Sequence, residues 1–297
     1  MKKRFLTILT IFVTSLTLSA CGGGGDRTIN SGNYSSNSAH LAKPTYENAL
    51  KVQEAIFDDS YDNSGYSSRK LNKDRTKAKP FALKIAKEFI ELNNNNSPKK
   101  RLVSNICESG TLDVEVISQT SDSVTKIYRY NNCYNAGLNR GGDIKVHLYN
   151  KRGGIYRNQD IIFISDYKKI YNGTTTIVES GSIIKTTITS FNNSNRYNFR
   201  LDYSMSIDKN GYRYGYKDVT LNYIINGATY WYQTKGKIYI NNFKEYVTYD
   251  RSYNMYNSAY RLDANSNPIY GEARYNMADG AILRIIADNG SFVLDIN

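Results

Sequence analysis

The chain has 297 residues, and its 39 basic residues against 27 acidic ones give a formal net charge of +12. A surplus of that sign favours anionic partners through long-range attraction. With two histidines, and without a GxSxG, HExxH, P-loop or GxGxxG motif, the sequence offers no catalytic residue and argues against an enzyme.

The N-terminus carries the pattern of a secretory signal. A basic patch, Lys2–Arg4, precedes the mostly apolar run Phe5–Leu18, which is shorter than the about 20 residues that a membrane span needs. The letters LSAC, Leu18–Cys21, resemble the lipobox of bacterial lipoprotein precursors. The resemblance implies a signal peptide over residues 1–20, a diacylglycerol on the Cys21 sulfur and cleavage before Cys21. The alternative is an ordinary secretory signal that a cysteine happens to follow.

A Gly/Ser/Asn-rich stretch comes next and predicts a disordered tether over residues 21–43. Two or three acyl chains on Cys21 would hold the protein durably on a membrane. Lipoproteins of the enteric inner membrane resemble one another in having aspartate after that cysteine, whereas this chain has Gly22, which favours the outer membrane. We therefore expect a lipid-anchored protein of the cell envelope, on the periplasmic or the surface side, with one folded domain over residues 44–297.

Removal of the signal lowers the net charge. Without Lys2, Lys3 and Arg4, 36 basic residues stand against 27 acidic ones, a net charge of +9. In the envelope, the matching partners would be lipid headgroups, lipopolysaccharide, acidic polysaccharide or an acidic protein, and nucleic acid is not expected. The alternative is that the basic surplus serves solubility alone. The basic stretch Arg69–Lys79 is either a headgroup-binding loop or a solvated linker.

Two helices are predicted before any strand. Pro44–Phe57 offers Thr45 as an N-cap and places Ala49, Val52 and Ile56 on one face. Pro80–Leu92 has proline at a helix start and an apolar stripe at helical spacing. Both stripes are expected to pack on a sheet.

The two remaining cysteines, Cys107 and Cys133, flank a predicted hairpin. The alternating runs Thr111–Ser118 and Ser123–Tyr130 are separated by the turn letters QTSD. If the hairpin folds about Thr120, the two cysteines face each other, and the oxidising envelope permits a disulfide between them. Two sulfurs without nearby histidines fall short of tetrahedral ligation, so neither a metal nor a cofactor is expected.

The residues that follow the cysteine hairpin are predicted to form antiparallel strands. Along Tyr197–Ile207, every second residue is apolar or aromatic without interruption. Asn-Gly or Asp-Gly pairs at 172, 210, 226, 279 and 289 favour tight hairpin turns. The predicted fold is mainly β (α+β): a large curved meander sheet or open half-barrel of roughly ten strands with two N-terminal helices on its concave face. A closed membrane barrel is excluded, because the polar faces carry Lys, Arg, Asp and Asn throughout.

Tyrosine is unusually abundant, with 27 copies against ten phenylalanines and one tryptophan. Half-buried strand positions explain most of them. Two clusters are denser than packing requires, and their exposed rings beside basic residues resemble surfaces that contact sugars or peptides. The candidate ligand-binding residues are Tyr212, Tyr214, Tyr230, Trp231 and Tyr232.

The two histidines do not indicate a site. His40 falls in the predicted tether. His147 lies on a strand, on the face opposite Ile144, Val146 and Leu148, which is typical of a solvent-facing side chain.

The cysteine hairpin, the letters NNCYN around Cys133 and the closing segment Pro268–Asn297 are similar to a group of uncharacterised Gram-negative lipoproteins. That group shares a lipobox with trailing glycines, a spaced cysteine pair and a β meander, and the resemblance implies no activity. Two functions remain open: a binding or scaffolding protein of the envelope, and a lipid or lipoprotein carrier. A carrier would need a continuous apolar cavity, whereas in a scaffold the helices would fill that space.

Overall fold

The computed structural model describes residues 39–57, 80–94, 107–171, 173–192, 196–226, 228–252, 259–263, 268–289 and 291–297. The predicted signal peptide, Cys21, the tether up to residue 38 and the basic stretch Arg69–Lys79 lie outside the described residues. Within the described ranges, neither helix is long and apolar enough to cross a membrane.

Two helices and sixteen strands make up the described part of the chain, which confirms the mainly β (α+β) prediction. The helices are α1 (Tyr46–Ile56) and α2 (Phe81–Asn94). The strands are β1 (His40–Leu41), β2 (Ser109–Gln119), β3 (Val124–Asn135), β4 (Leu138–Arg152), β5 (Ile155–Phe163), β6 (Tyr167–Tyr171), β7 (Thr174–Val178), β8 (Ile183–Asn192), β9 (Arg196–Lys209), β10 (Tyr212–Asn226), β11 (Ala228–Ile240), β12 (Glu245–Tyr249), β13 (Tyr260–Leu262), β14 (Pro268–Asn276), β15 (Ile282–Asp288) and β16 (Ser291–Ile296).

All sixteen described strands belong to one sheet, an antiparallel meander except for the short β1, which pairs in parallel with β12. The number exceeds the roughly ten expected from the hairpin signals, because the neighbours of three long strands are each interrupted and count as two strands. Strand β4 pairs with both β5 and β6, β9 with both β7 and β8, and β11 with both β12 and β13. The two short strands in each case together occupy one strand position in the sheet. The predicted number of strands was therefore too low, whereas the predicted meander is present.

The sheet has a helix-facing side and a helix-free side. The alternation of β9 is confirmed: Tyr197, Phe199, Leu201, Tyr203, Met205 and Ile207 are all buried. Both helices pack on that side, as their apolar stripes predicted, and they share one hydrophobic core with the sheet. The N-cap of α1 is also as predicted, since Thr45 Oγ1 accepts a hydrogen bond from the Asn48 amide at 3.3 Å.

The predicted disulfide is present: Cys107 and Cys133 are bonded, with their Cα atoms 5.1 Å apart. The hairpin register differs from the one expected, because Gln119 pairs with Val124 and the turn is centred beyond Thr120. Strand β2 has one extra residue between Val116 and Ser118, and β3 has one at Asn132, whose φ of +47° marks a bulge, so the two shifts cancel and Ser109 pairs with Tyr134. The cysteines therefore meet beside the ladder and not as an opposed pair within it.

Residues before Pro44 also take part in the fold. His40 and Leu41 pair in parallel with Glu245 and Tyr246 of β12, and Ala42 is fully buried. His40 Nδ1 lies 2.9 Å from the Lys244 carbonyl oxygen. The last residues of the predicted tether are thus an edge strand, because a backbone ladder can hold a segment with no apolar periodicity.

The Asn-Gly turn between β9 and β10 forms as predicted. Asn210 and Gly211 have φ values of +50° and +88°, the left-handed conformations that a type I′ turn requires. Asp279 and Gly280 are also left-handed, within a single turn of 3-10 helix. Asn172, Gly227 and Gly290 lie outside the described residues.

Candidate functional site

Two of the five aromatic candidates, Tyr214 and Trp231, belong to the hydrophobic core and are not part of an exposed aromatic surface. Trp231 is 1% exposed and packs against Phe57 and Tyr260 with ring centroids 5.6 and 4.6 Å away. Tyr214 is buried, and its hydroxyl donates to Glu54 Oε2 of α1 at 2.8 Å. Both rings fasten α1 to the sheet.

Trp231 alternates with the partly buried Tyr230 and Tyr232 on β11, whereas Tyr214 is turned inward by a bulge in β10. Asp218 has a φ of +52°, and the register shifts between Tyr216 and Val219. Side chains on both sides of the shift therefore point to the helix-facing side, although strict alternation would separate them. Gly236 makes room for the bulge, since a Cβ there would lie 2.6 Å from Val219 Cα.

The other three candidates are accessible but do not meet. Tyr212 is 58% exposed at the turn between β9 and β10. Tyr230 and Tyr232 are partly buried on β11, opposite Ile224 and Asn222 of β10. Twelve residues of strand separate Tyr212 from Ile224, which is about 40 Å at the usual rise. The predicted aromatic surface is therefore not one site.

Polar side chains cover the helix-free side in rows that cross the strands. The longest row lies at one register level from β3 to β11 and consists of Thr125, His147, Asp160, Lys185, Asp202, Thr220 and Lys235. Thr220 donates to Asp202 Oδ1 at 2.5 Å, and Thr125 Oγ1 lies 2.9 Å from His147 Nδ1. The charges alternate in sign and partner one another, which stabilises the sheet.

His147 is the half-exposed strand residue that its position indicated, and its ring stacks on Tyr149 at 5.0 Å. Burial raises the pKa of the neighbouring Asp160 carboxyl, and Lys185 and His147 only partly offset that rise. This arrangement is a cross-strand pairing that spans several strands.

A different feature has the shape of a binding site: a cleft of about 680 Å³ between α2 and one end of the sheet. Its floor comes from β2, β3, β4 and β6, and one flank of α2 forms its wall. The residues that line it are Lys84, Lys87, Glu88, Glu91, Leu92, Leu112, Tyr130, Cys133, Asn135, Ala136, Leu138, Arg140 and Tyr171. We call this feature the α2 cleft.

An ion pair sits at the centre of the α2 cleft. Arg140 Nη1 lies 2.8 Å from Glu88 Oε1, and the guanidinium carbon is 5.7 Å from the centroid of the Tyr130 ring. The Arg140 side chain is 17% exposed. Burial opposes its charge, but the Glu88 carboxylate together with Tyr167 and Tyr130 outweighs that effect, so the pKa of Arg140 is raised above its ordinary value. A fixed, partly buried cation therefore faces the cleft.

Tyrosine hydroxyls lie beneath this pair. Burial raises the pKa of Tyr130 well above its usual value, and the negative charge of Glu88 adds to the effect. Burial also raises the pKa of Tyr167, whose ring lies 5.7 Å from that of Tyr130. Both phenols stay protonated near neutral pH, so neither competes with Glu88 for Arg140 as an anion.

The wall of the cleft is the polar flank of α2. Its apolar face packs on the sheet, where the Phe89 ring meets Tyr128 at 5.0 Å. Lys84, Lys87 and Glu91 line the opposite flank. Lys87 Nζ is 3.5 Å from the Tyr223 hydroxyl and 5.2 Å from that ring's centroid, so the lysine is positioned by the sheet.

The disulfide helps to shape the rim. Cys133 lines the cleft and is bonded to Cys107, which directly precedes β2. Next to it, Glu108 Oε1 accepts a hydrogen bond from the Ala136 amide at 3.1 Å. These links fix the turn between β3 and β4 at the mouth of the cleft.

The sequence held one signal of this site that was not used. The helix-facing side of β4 carries Leu138, Arg140, Ile144 and Val146, so an arginine occupies an inward position in a strand that otherwise buries apolar residues there.

No group of three or more His, Cys, Asp or Glu side chains in the described ranges could hold a metal ion. Comparison with family models, curated proteins and solved structures finds no match to this chain.

Proposed function

We propose that this chain is a lipid-anchored binding or scaffolding protein of the bacterial cell envelope, without catalytic activity, and that the α2 cleft is its ligand site. The LSAC letters and the trailing glycines support an anchor on Cys21 and the outer membrane as its place. The Cys107–Cys133 disulfide supports an oxidising compartment.

The α2 cleft is the observation that carries the binding role. Its volume of about 680 Å³ lies within the range of ligand sites. It combines apolar floor residues, Leu112 and Leu138, with convergent polar groups, and Arg140 is held in place by Glu88 and the Tyr130 ring. A pre-positioned polar group of this kind lowers the cost of ordering on binding.

The carrier alternative receives less support. A carrier needs a continuous apolar cavity between helices and sheet, yet beneath α1 that space is filled by aromatic rings. Phe57 lies 4.2 Å from Phe292 and 5.6 Å from both Trp231 and Tyr260, measured between centroids. The α2 cleft is lined by charged residues, which suits a polar ligand better than an acyl chain.

Native mass spectrometry of the full-length protein, purified in detergent from its host, tests the proposed site. The wild-type protein should carry an envelope-derived ligand. Leu138→Trp, which fills the cleft, should lose it, whereas Val293→Trp, a matched change at a 48% exposed position of β16, should keep it. Retention of the ligand by Leu138→Trp would overturn the assignment of the site.

Metabolic labelling tests the anchor separately. Cells fed an alkyne-bearing palmitate should label the wild-type chain and leave Cys21→Ser unlabelled. Label on Cys21→Ser, or none on the wild type, would contradict the lipobox interpretation.

A further inference from the structure

We infer that the ligand of the α2 cleft is an anionic saccharide, a short sugar segment that bears a carboxylate. The inference rests on the proposed function and names the chemistry of the same site. Three properties of the lining carry it: its charge, its mixture of donors and acceptors, and its aromatic and apolar surfaces.

The charge of the lining favours an anion. Lys84, Lys87 and Arg140 are cationic, against Glu88 and Glu91. Glu88 already pairs with Arg140 at 2.8 Å. A further cation lies close by, since Lys169 Nζ is 5.4 Å from the ring of Phe81 at the start of α2. With 36 basic residues against 27 acidic ones once the proposed signal is removed, a net charge of +9, the cleft attracts anions at both short and long range.

The acceptors in the lining require a ligand that also donates hydrogen bonds. Two carboxylates, Glu88 and Glu91, and the amide of Asn135 lie among the cations. A fully deprotonated inorganic anion such as sulfate has no hydrogen to offer them, and their charge repels it. A sugar acid presents one carboxylate for the lysines and Arg140, together with several hydroxyls for the carboxylates and the amide. Such a ligand satisfies both kinds of group.

The remaining surfaces suit a sugar ring. Tyr171 is 45% exposed on the floor strand β6, and Leu112 and Leu138 are its apolar neighbours in the lining. A pyranose has an apolar C–H face and a polar rim, so it can lie against an aromatic ring while its hydroxyls reach the polar groups. The volume of about 680 Å³ accommodates a short oligosaccharide.

Titration calorimetry on the full-length protein in detergent tests this inference, with trigalacturonate as the acidic probe and maltotriose as the neutral one. Trigalacturonate should bind at least about tenfold more tightly than maltotriose, and its affinity should fall as salt is raised from low to physiological concentration. Lys84→Gln and Lys87→Gln should each weaken its binding about three- to tenfold. Lys237→Gln, a lysine of β11 packed on Tyr246, is the control and should change nothing.

Equal affinity for both sugars, or lysine variants that bind trigalacturonate as the wild type does, would overturn the inference. A mixed-charge tripeptide, Lys-Gly-Asp, provides the third arm. One further result would separate the site from its ligand: the tripeptide binds, Leu138→Trp abolishes that binding, and trigalacturonate does not bind. The cleft would then remain the ligand site, but the inference that its ligand is a saccharide would be wrong. If Leu138→Trp keeps the co-purified ligand, the proposed function fails first and this inference with it.

Discussion

The two helices meet the same sheet in opposite ways. Beneath α1, rings from β11, β13 and β16 close around Phe57, and Trp231 and Tyr260 are almost completely buried. Beside α2, Arg140 of the sheet faces Lys84 and Glu88 of the helix, and a cleft of about 680 Å³ remains. Aromatic residues seal one helix–sheet junction, whereas charged residues keep the other accessible to solvent.

The difference separates stability from binding. An aromatic junction gains free energy from every buried ring, but it leaves no space for a ligand. A charged junction gains less, because the desolvation of Arg140 and Glu88 opposes their attraction. We therefore expect substitutions near α1 to affect unfolding most and substitutions near α2 to affect binding most.

The largest effect on stability should come from the α1 junction. Trp231→Ala removes a ring that is 1% exposed and should lower the free energy of unfolding by about 3–5 kcal/mol. Trp231→Phe should lower it by less, since the indole Nε1 has no hydrogen-bond partner among the described residues. Urea denaturation measures both. A loss below about 1 kcal/mol for Trp231→Ala would show that this junction is not a packed core.

The disulfide at the rim of the α2 cleft should come next. Its two sulfurs close a loop of 26 residues, so replacing Cys107 and Cys133 together by serine should cost about 3.5 kcal/mol in the chain-entropy model. The same variant should bind the cleft ligand more weakly, because the turn between β3 and β4 loses its tie. Reduced wild-type protein is the matched control and should unfold like the double variant. An unchanged midpoint in both would contradict the stabilising role.

Two Arg–Glu contacts, one on each side of the sheet, should have smaller effects, one on stability and the other on binding. On the helix-free side Glu272 contacts both Arg274 and Arg284, at 2.6 and 2.8 Å. Burial raises the pKa of this carboxyl, but the two arginines outweigh it and hold the pKa below its usual value. The resulting stabilisation is present above about pH 4.3, the ordinary glutamate pKa, and is lost as the pH falls through the lower folded-state value.

Glu272→Gln should therefore flatten the decline in unfolding free energy between about pH 5 and pH 3, and should leave ligand binding unchanged. Glu88→Gln should instead weaken binding, because it removes the partner that positions Arg140. Acid titration of the unfolding midpoint, with calorimetry on both variants, separates the two. If Glu272→Gln weakened binding as strongly as Glu88→Gln, the contrast between the two sides of the sheet would be lost.

The smallest effects belong to the accessible tyrosines. Tyr230→Ala and Tyr232→Ala each remove one cross-strand contact and should cost up to about 1 kcal/mol. Capture of the co-purified ligand should stay at the wild-type level, as it should for Tyr212→Ala. If capture fell in these variants and not in Leu138→Trp, the ligand site would lie on the helix-free side.

The sequence predicted the local features well. Helix α1 and its Thr45 cap, the start of α2, the hairpin and the disulfide follow from short-range patterns, and each is present. Trp231 is the inward ring between Tyr230 and Tyr232, and Tyr214 is buried because a single bulge at Asp218 changes which side a strand residue faces. Alternation along a strand does not show where such a bulge falls.

The α2 cleft could not be read from short-range patterns. Its central residues, Glu88, Tyr130, Arg140 and Tyr171, come from one helix and three strands. They meet because α2 packs on this end of the sheet, which neither helical nor strand periodicity specifies. The inward arginine of β4 was the available signal, and its partner lies 52 residues earlier in the chain.

Hydrogen–deuterium exchange on the full-length protein, with and without the ligand that co-purifies with it, is the most direct test of the contrast between the two junctions. Binding should slow exchange in Phe81–Asn94 and around Cys133–Arg140, and should leave Tyr46–Ile56 unchanged. Protection confined to β10 and β11, with α2 unaffected, would contradict a ligand site beside α2.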